Sequence, residues 1–327
     1  MPSAEYRFTT HAEVPNLPAQ LARLSNIAFA EYEGAMPVDE AFIQWYLQRP
    51  GCRPEYCTAA LWEDELVSNV LVCIQDVRLG GTVMPCGIID TVATLPEHRK
   101  KGLAHRLMED AHRIMREAGA EAAVLYTNPD GHPYTFYQRL GYETRAIGAA
   151  LEGNRPDPST DLQAEPATLA DHAIIRALTD REYSGFDGYA PLTDELWAWH
   201  RLDRPASLPD QLMVIRDASG APIASCAFAT VDVLVAGETA RATVVSDIAC
   251  PEPPEPYLQA LLTSAPTERI LTIVDSQAPI YQRLSALGFQ QAVREAALAM
   301  PFSDHAREAM KSEPAPWYVM IESVVGV

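Results

Sequence analysis

The sequence predicts an α+β fold built from two tandem copies of one unit, each a mostly antiparallel mixed sheet flanked by helices. Three observations predict it. The chain repeats itself at a nearly constant interval, each copy carries β-branched runs split by short polar turns, and a glycine-opened amphipathic helix follows the central run of the first copy.

The repeat begins in a helix. Asp39-Glu40-Ala41-Phe42-Ile43-Gln44-Trp45 is matched by Asp194-Glu195-Leu196-Trp197-Ala198-Trp199-His200, and the pairs Arg49-Pro50 and Arg204-Pro205 set the interval at 155 residues. Strand pairs follow. Thr58 to Trp62 and Leu66 to Ile74 are split by Glu63-Asp64-Glu65; Leu212 to Arg216 and Pro222 to Thr230 are split by Asp217 to Ala221. Charged or glycine-containing clusters between such runs read as hairpins. Ile89-Asp90-Thr91-Val92-Ala93 then matches Ser246-Asp247-Ile248-Ala249, and Tyr137-Gln138-Arg139-Leu140-Gly141-Tyr142 matches Tyr281-Gln282-Arg283-Leu284 with Gly288-Phe289. The polar, proline-rich stretch Gly153 to Thr160 has linker composition, so the expected domains are residues 1–153 and 161–327. An apolar run, Trp317 to Val327, is expected to pair with a sheet as a final strand.

Composition narrows the partners. Over 327 residues the formal net charge is -19, a balance that repels nucleic acid and anionic membranes and attracts cationic amines, besides keeping the chain soluble. The six cysteines include no C-x-x-C pair, residues Met1 to Arg7 are polar with no apolar stretch behind them, and no run of about 18 apolar residues occurs. A cytoplasmic, reduced protein is the expectation. No metal-ligand spacing, phosphate-binding Walker loop, dinucleotide fingerprint or nucleophile elbow is present. His11 and His200 stand outside any motif and read as surface or helix residues.

The informative segment is Ile88 to Tyr142. A β-branched run, Ile88 to Thr94, leads through Leu95-Pro96 into the basic loop Glu97-His98-Arg99-Lys100-Lys101-Gly102-Leu103-Ala104. A helix over Leu103 to Ala118 follows, with apolar residues at helical spacing and Gly119 as its C-terminal cap. A strand feeding a loop that opens a helix is an anion site, because the first-turn N–H groups lack intrahelical partners and the helix dipole adds positive potential. Gly102 admits a close backbone approach, Ala104 keeps side-chain bulk away, and Arg99, Lys100 and Lys101 concentrate positive charge in an acidic protein.

Arg99-x-x-Gly102-x-Ala104 resembles the Q/R-x-x-G-x-G/A acyl-CoA motif of the Gcn5-related N-acetyltransferases, and Phe136-Tyr137-Gln138-Arg139-Leu140-Gly141-Tyr142 resembles their following F-Y-x-x-x-G-F/Y segment. The resemblance covers residues 5 to 150 well and the second copy more faintly. It implies acetyl-CoA as cosubstrate and no metal. Backbone groups of Val92, Ala93 and Thr94 would bind the pantetheine arm. Those of Lys100, Lys101, Gly102, Leu103, Ala104 and His105, beside Arg99, would hold the pyrophosphate. Asn128 would contact CoA through its amide, or else serves the turn before Pro129. Tyr137 is the candidate general acid for the departing thiolate, or else a core aromatic, as Tyr281 in the matching place suggests. The base is left among Asp90, water and, if Trp317 to Val327 threads back to the first copy, the terminal carboxylate of Val327, since the resemblance implies that a chain-terminal carboxylate can serve as base in related tandem acetyltransferases. Glu31 and Glu33 are candidates for selecting a cationic amine, and His132 for a loop residue or base.

Where the second copy should repeat the basic loop it reads Cys250-Pro251-Glu252-Pro253-Pro254-Glu255-Pro256-Tyr257. Four prolines remove N–H donors and two glutamates repel phosphate, so this copy is expected not to bind acetyl-CoA. It is expected to complete the acceptor pocket and to leave the chain a monomer or weak homodimer. Three functions stay open: acetylation of a small amine, acetylation of a protein or peptide, and a CoA-binding sensor without turnover.

Overall fold

The computed structural model describes residues 5–30, 35–208, 210–235 and 238–320. The first copy runs β1 (Arg7–Thr10), α1 (Leu17–Ala28), α2 (Glu40–Leu47), β2 (Thr58–Trp62), β3 (Glu65–Leu79), β4 (Thr82–Thr94), α3 (Leu103–Glu117), β5 (Ala122–Thr127), α4 (His132–Arg139) and β6 (Glu143–Asn154). The second repeats the order with β7 (Glu165–Pro166), α5 (His172–Tyr183), α6 (Asp194–Trp197), β8 (Asp210–Arg216), β9 (Pro222–Val235), β10 (Glu238–Ala249), α7 (Glu255–Thr263), β11 (Arg269–Asp275), α8 (Pro279–Ala286) and β12 (Gln290–Pro301), after which α9 (Asp304–Ala309) follows.

The α+β fold is as expected, but the sheets of the two copies are fused. All twelve strands form one sheet in the order β1-β2-β3-β4-β5-β12-β6-β11-β10-β9-β8-β7. At its centre the copies exchange their last strands. β12 pairs antiparallel with β5 and β6, and β6 pairs antiparallel with β11. Each copy is thereby completed by main-chain hydrogen bonds to the other.

Helices cover this sheet through apolar stripes. On α3 the stripe Leu103, Leu107, Met108, Ala111 and Met115 is buried. It lies so close to β4 that a Cβ on Gly87 would sit 2.0 Å from the Met115 sulfur. A second contact between the copies joins α2 to the π-helical turn Ala198–Leu202. Trp45 and Trp199 stack with ring centroids 4.6 Å apart, and each indole N–H donates to the other's carbonyl at 2.9 Å. Such a stacked pair is worth about 1 kcal/mol beyond the area it buries. The 155-residue interval had aligned Trp45 with His200. The π turn takes up one extra residue, which shifts the structural partner to Trp199.

The expected final strand is not formed where the chain is described. Trp317 makes a single bridge with Asp187, and 318–320 are irregular; 321–327 lie outside the described residues. The segment is nevertheless docked across both copies. The Trp317 N–H donates to Asp275, its indole to the Tyr126 hydroxyl, and the Tyr318 hydroxyl to Asp247. Met320 reaches the first copy, where its sulfur accepts from Arg49 at 3.1 Å.

Candidate active site

β4 and β5 are parallel neighbours, and their pairing runs only from Cys86↔Ala122 to Ile89↔Leu125. Beyond Ile89 they separate. The cause is a bulge in β4: Leu71 faces Asp90 and Asn69 faces Ala93, so β4 carries one extra residue there. Thr91 takes up the excess in the left-handed region, at φ +40°. For a β-branched residue that conformation costs on the order of 1–3 kcal/mol, which surrounding contacts must offset. Val92, Ala93 and Thr94 therefore lie on a stretch of β4 whose edge toward β5 has no strand partner among the described residues.

The basic loop follows at the end of β4. Lys100 and Gly102 both have positive φ, +61° and +78°. A Cβ on Gly102 would meet nothing within 4 Å, so the loop faces open space, and α3 begins there without a side-chain cap. Its first-turn N–H groups, from Gly102 to His105, are free for an anion. Among the described residues Arg99, Lys100 and Lys101 enter no ion pair. Arg99 does brace the loop, donating to the carbonyls of Thr94 at 3.1 Å and Ala28 at 3.2 Å. A diphosphate fits this donor set, and the uncovered edge of β4 suits an amide-bearing arm behind it.

The other expected residues divide. Tyr137, on α4, is 7% exposed, and its hydroxyl has no hydrogen-bond partner among the described residues. Burial pushes its pKa above the ordinary phenol value, so it holds its proton at neutral pH. Asn128 serves the turn: its side-chain oxygen accepts from the Asp130 N–H at 2.8 Å, while its amide nitrogen makes no hydrogen bond among the described residues. His132 opens α4. Asp90 is buried against α2, accepting from the Tyr46 hydroxyl at 2.6 Å and from Arg49 at 3.3 Å. Burial, the neighbouring carboxylate and the hydrogen bond to it push the Tyr46 phenol upward against the pull of Arg49. Val327, Glu31 and Glu33 lie outside the described residues.

Of the two alternatives for His11 and His200, the helix one holds: His11 lies in the 3-10 turn His11–Glu13 and His200 in the π-helical turn Ala198–Leu202. His11 is 2% exposed and hydrogen-bonds the side chain of Asn69, and His200 is buried against Asp247 at 3.1 Å. Neither is a surface residue, because each supplies the polar partner that a buried group needs.

The second copy splays in the same way, and the C-terminal segment lines the gap. β10 and β11 pair only at Thr243↔Ile270 and Val244↔Leu271, with a bulge at Asp247, φ +51°. Trp317, Tyr318 and Val319 line the cleft that opens between these strands. Asp247 is held by Arg201, His200 and Tyr318; burial opposes its ionisation, yet these partners keep its pKa far below the usual carboxylate range. The loop that should bind phosphate carries Glu252 and Glu255, both paired with Arg283.

The model of the acetyltransferase (GNAT) domain family matches residues 12–145. N-alpha-acetyltransferase 30 of Schizosaccharomyces pombe is 36% identical over 90 residues, which are 27% of this chain and 58% of that relative's length. Among solved structures, a GCN5-related N-acetyltransferase from Anabaena variabilis superimposes with a TM-score of 0.65 at 16% identity, over 90% of this chain and 72% of that one. Saccharomyces cerevisiae N-myristoyltransferase with bound myristoyl-CoA superimposes with a TM-score of 0.71 at 12% identity, over 92% of this chain and 80% of that one. No helix among the described residues is long and apolar enough to cross a membrane. Residues 12–145, whose strand, basic loop and helix carry the acyl-CoA motif, are thus similar to the acetyltransferase (GNAT) domain family.

Proposed function

We propose that the first copy binds acetyl-CoA and transfers its acetyl group to a primary amine by direct attack. The single observation that carries this reading is the loop at Gly102: an uncapped helix start facing open space, with three basic residues that enter no ion pair among the described residues, at the end of a strand edge that no described strand covers. The N–H groups from Lys100 to His105 hold the diphosphate, and Val92 to Thr94 align the pantetheine arm. Acetyl-CoA supplies an activated acyl group. The amine nitrogen bonds to the acetyl carbon, the carbon–sulfur bond breaks, Tyr137 protonates the departing sulfur, and the amine's surplus proton passes to solvent. Asp90 is occupied with Arg49 and Tyr46 and is given no step.

The acceptor is a small amine or the amino terminus of a peptide. The second reading is favoured by the name of the N-alpha-acetyltransferase relative. The acidic net charge suits either cation. The fused sheet supplies within one chain the pairing that two subunits could share, which supports a monomer or weak homodimer. Calorimetric titration with acetyl-CoA tests the reading, with one site per chain expected. A panel of small amines and short peptides then separates the two acceptors, and binding without turnover on any of them would leave a sensor.

A further inference from the structure

We infer that Asn69, backed by His11, is a positioning residue that aims the Val92 N–H into the open edge of β4, where it donates to the thioester carbonyl of bound acetyl-CoA. This inference rests on the acetyl-transfer reading above. The starting point is Thr91, a β-branched residue at φ +40° where β4 leaves β5. Its own hydroxyl is buried without a hydrogen-bond partner among the described residues, so its side chain does not hold the turn there. Its carbonyl is held instead. Asn69 is fully buried on β3, opposite the bulge, and its amide nitrogen donates to the Thr91 carbonyl at 2.8 Å. That bond fixes the orientation of the amide, so the Asn69 oxygen must accept, and its partner is Nε2 of His11. His11 therefore carries its proton on Nε2. Burial lowers its pKa to about 4, which keeps this neutral form at physiological pH.

The direction of the Val92 N–H follows from peptide geometry. In a trans peptide the C=O and N–H point to opposite sides. With the Thr91 carbonyl drawn toward β3, the N–H of the same peptide points away from β3, to the side that β5 has vacated. The second copy shows that the hold is not needed merely to keep the bulge. There Asp247 adopts the same left-handed conformation, fixed through its own carboxylate by Arg201, His200 and Tyr318. By register the counterpart of Asn69 is Ser225, which faces Ala249 as Asn69 faces Ala93. The Ser225 hydroxyl is buried and makes no hydrogen bond among the described residues. The amide hold on the backbone is confined to the copy whose strand edge is open.

The test reads the carbonyl itself. Acetyl-CoA isotopically labelled at the acetyl carbonyl is bound to the full chain, and the stretching frequency is measured by difference infrared spectroscopy. Wild type is expected to lower the frequency relative to free acetyl-CoA. Asn69→Ser, which copies a residue the second copy accommodates, should return it most of the way with little change in calorimetric affinity, and turnover should fall roughly ten- to hundredfold. His11→Leu should act in the same direction, and His11→Gln, which can still donate to Asn69, should recover most of the effect. A frequency that stays lowered in both Asn69→Ser and His11→Leu, or one never lowered in wild type that binds, overturns this inference alone. Failure of wild type to bind acetyl-CoA overturns the acetyl-transfer reading and this inference with it.

Discussion

The two copies build the same splayed pair of strands and put it to different uses. In the first, the gap between β4 and β5 opens beside an uncapped helix start with three basic residues. In the second, the gap between β10 and β11 is lined by Trp317 to Val319, and the loop beside it carries prolines and glutamates. The difference teaches that this fold alone does not make a cofactor site. The site needs an uncovered strand edge and an unclaimed set of N–H donors at the same end of the sheet.

The most severe way to break the comparison is to separate the copies. A chain of residues 1–153 leaves β5 and β6 without the strand that lies between them, and circular dichroism and sedimentation should show an unfolded or aggregated product; a cooperative melt would mean that the exchange is dispensable. Next in size, Gly102→Glu places a carboxylate in the open space before α3 and should abolish acetyl-CoA binding in calorimetry. The left-handed φ of +78° adds a strain of roughly 1–2 kcal/mol, so the melting temperature should fall only modestly. Tyr137→Phe should lower turnover on the order of a hundredfold while sparing acetyl-CoA affinity. Tyr281→Phe, its counterpart on α8, should leave turnover unchanged, and equal losses in both would return Tyr137 to the core.

The smallest effect concerns pH. Burial lowers the pKa of His11 and of His112 to about 4, the latter on α3 with Nε2 2.8 Å from the Tyr142 hydroxyl. Both stay neutral in the folded chain while the unfolded chain takes up protons below about pH 6.5. Stability should thus be flat above that pH and decline down to about pH 4, by at most about 3 kcal/mol for each histidine. Thermal melts across this range should show a shallower decline for His112→Gln. An unchanged slope would mean that His112 does not stay neutral when folded.

Much of this was legible in the sequence. The strand, basic loop, helix and second tyrosine motif fall where spacing and periodicity place them, because local chemistry dictates them: Gly102 for a positive φ, Leu103, Leu107, Ala111 and Met115 for a buried stripe. The strand exchange was not legible, since β6 and β12 carry the same alternation whichever neighbour they pair with. The bulge was hidden as well, because Thr91 is an ordinary strand residue by type. One signal was available and passed over: Asn69 is an amide inside the apolar run Leu66 to Ile74, and a polar side chain there must have a buried partner. The tryptophan pairing was missed by one residue because a π turn leaves no mark in composition.

The exchange of β6 and β12 also sets a clock on synthesis. A ribosome making this chain releases β5 early, yet the strand that belongs beside it is complete only after Pro301. Until then the half that carries the acyl-CoA motif has two bare strand edges in its middle, the kind of surface that pairs with the wrong chain. Closing that gap brings together segments far apart in sequence, a slow step for any chain. The proposed acetyl-CoA site is flanked by a complete sheet only once β12 has been made.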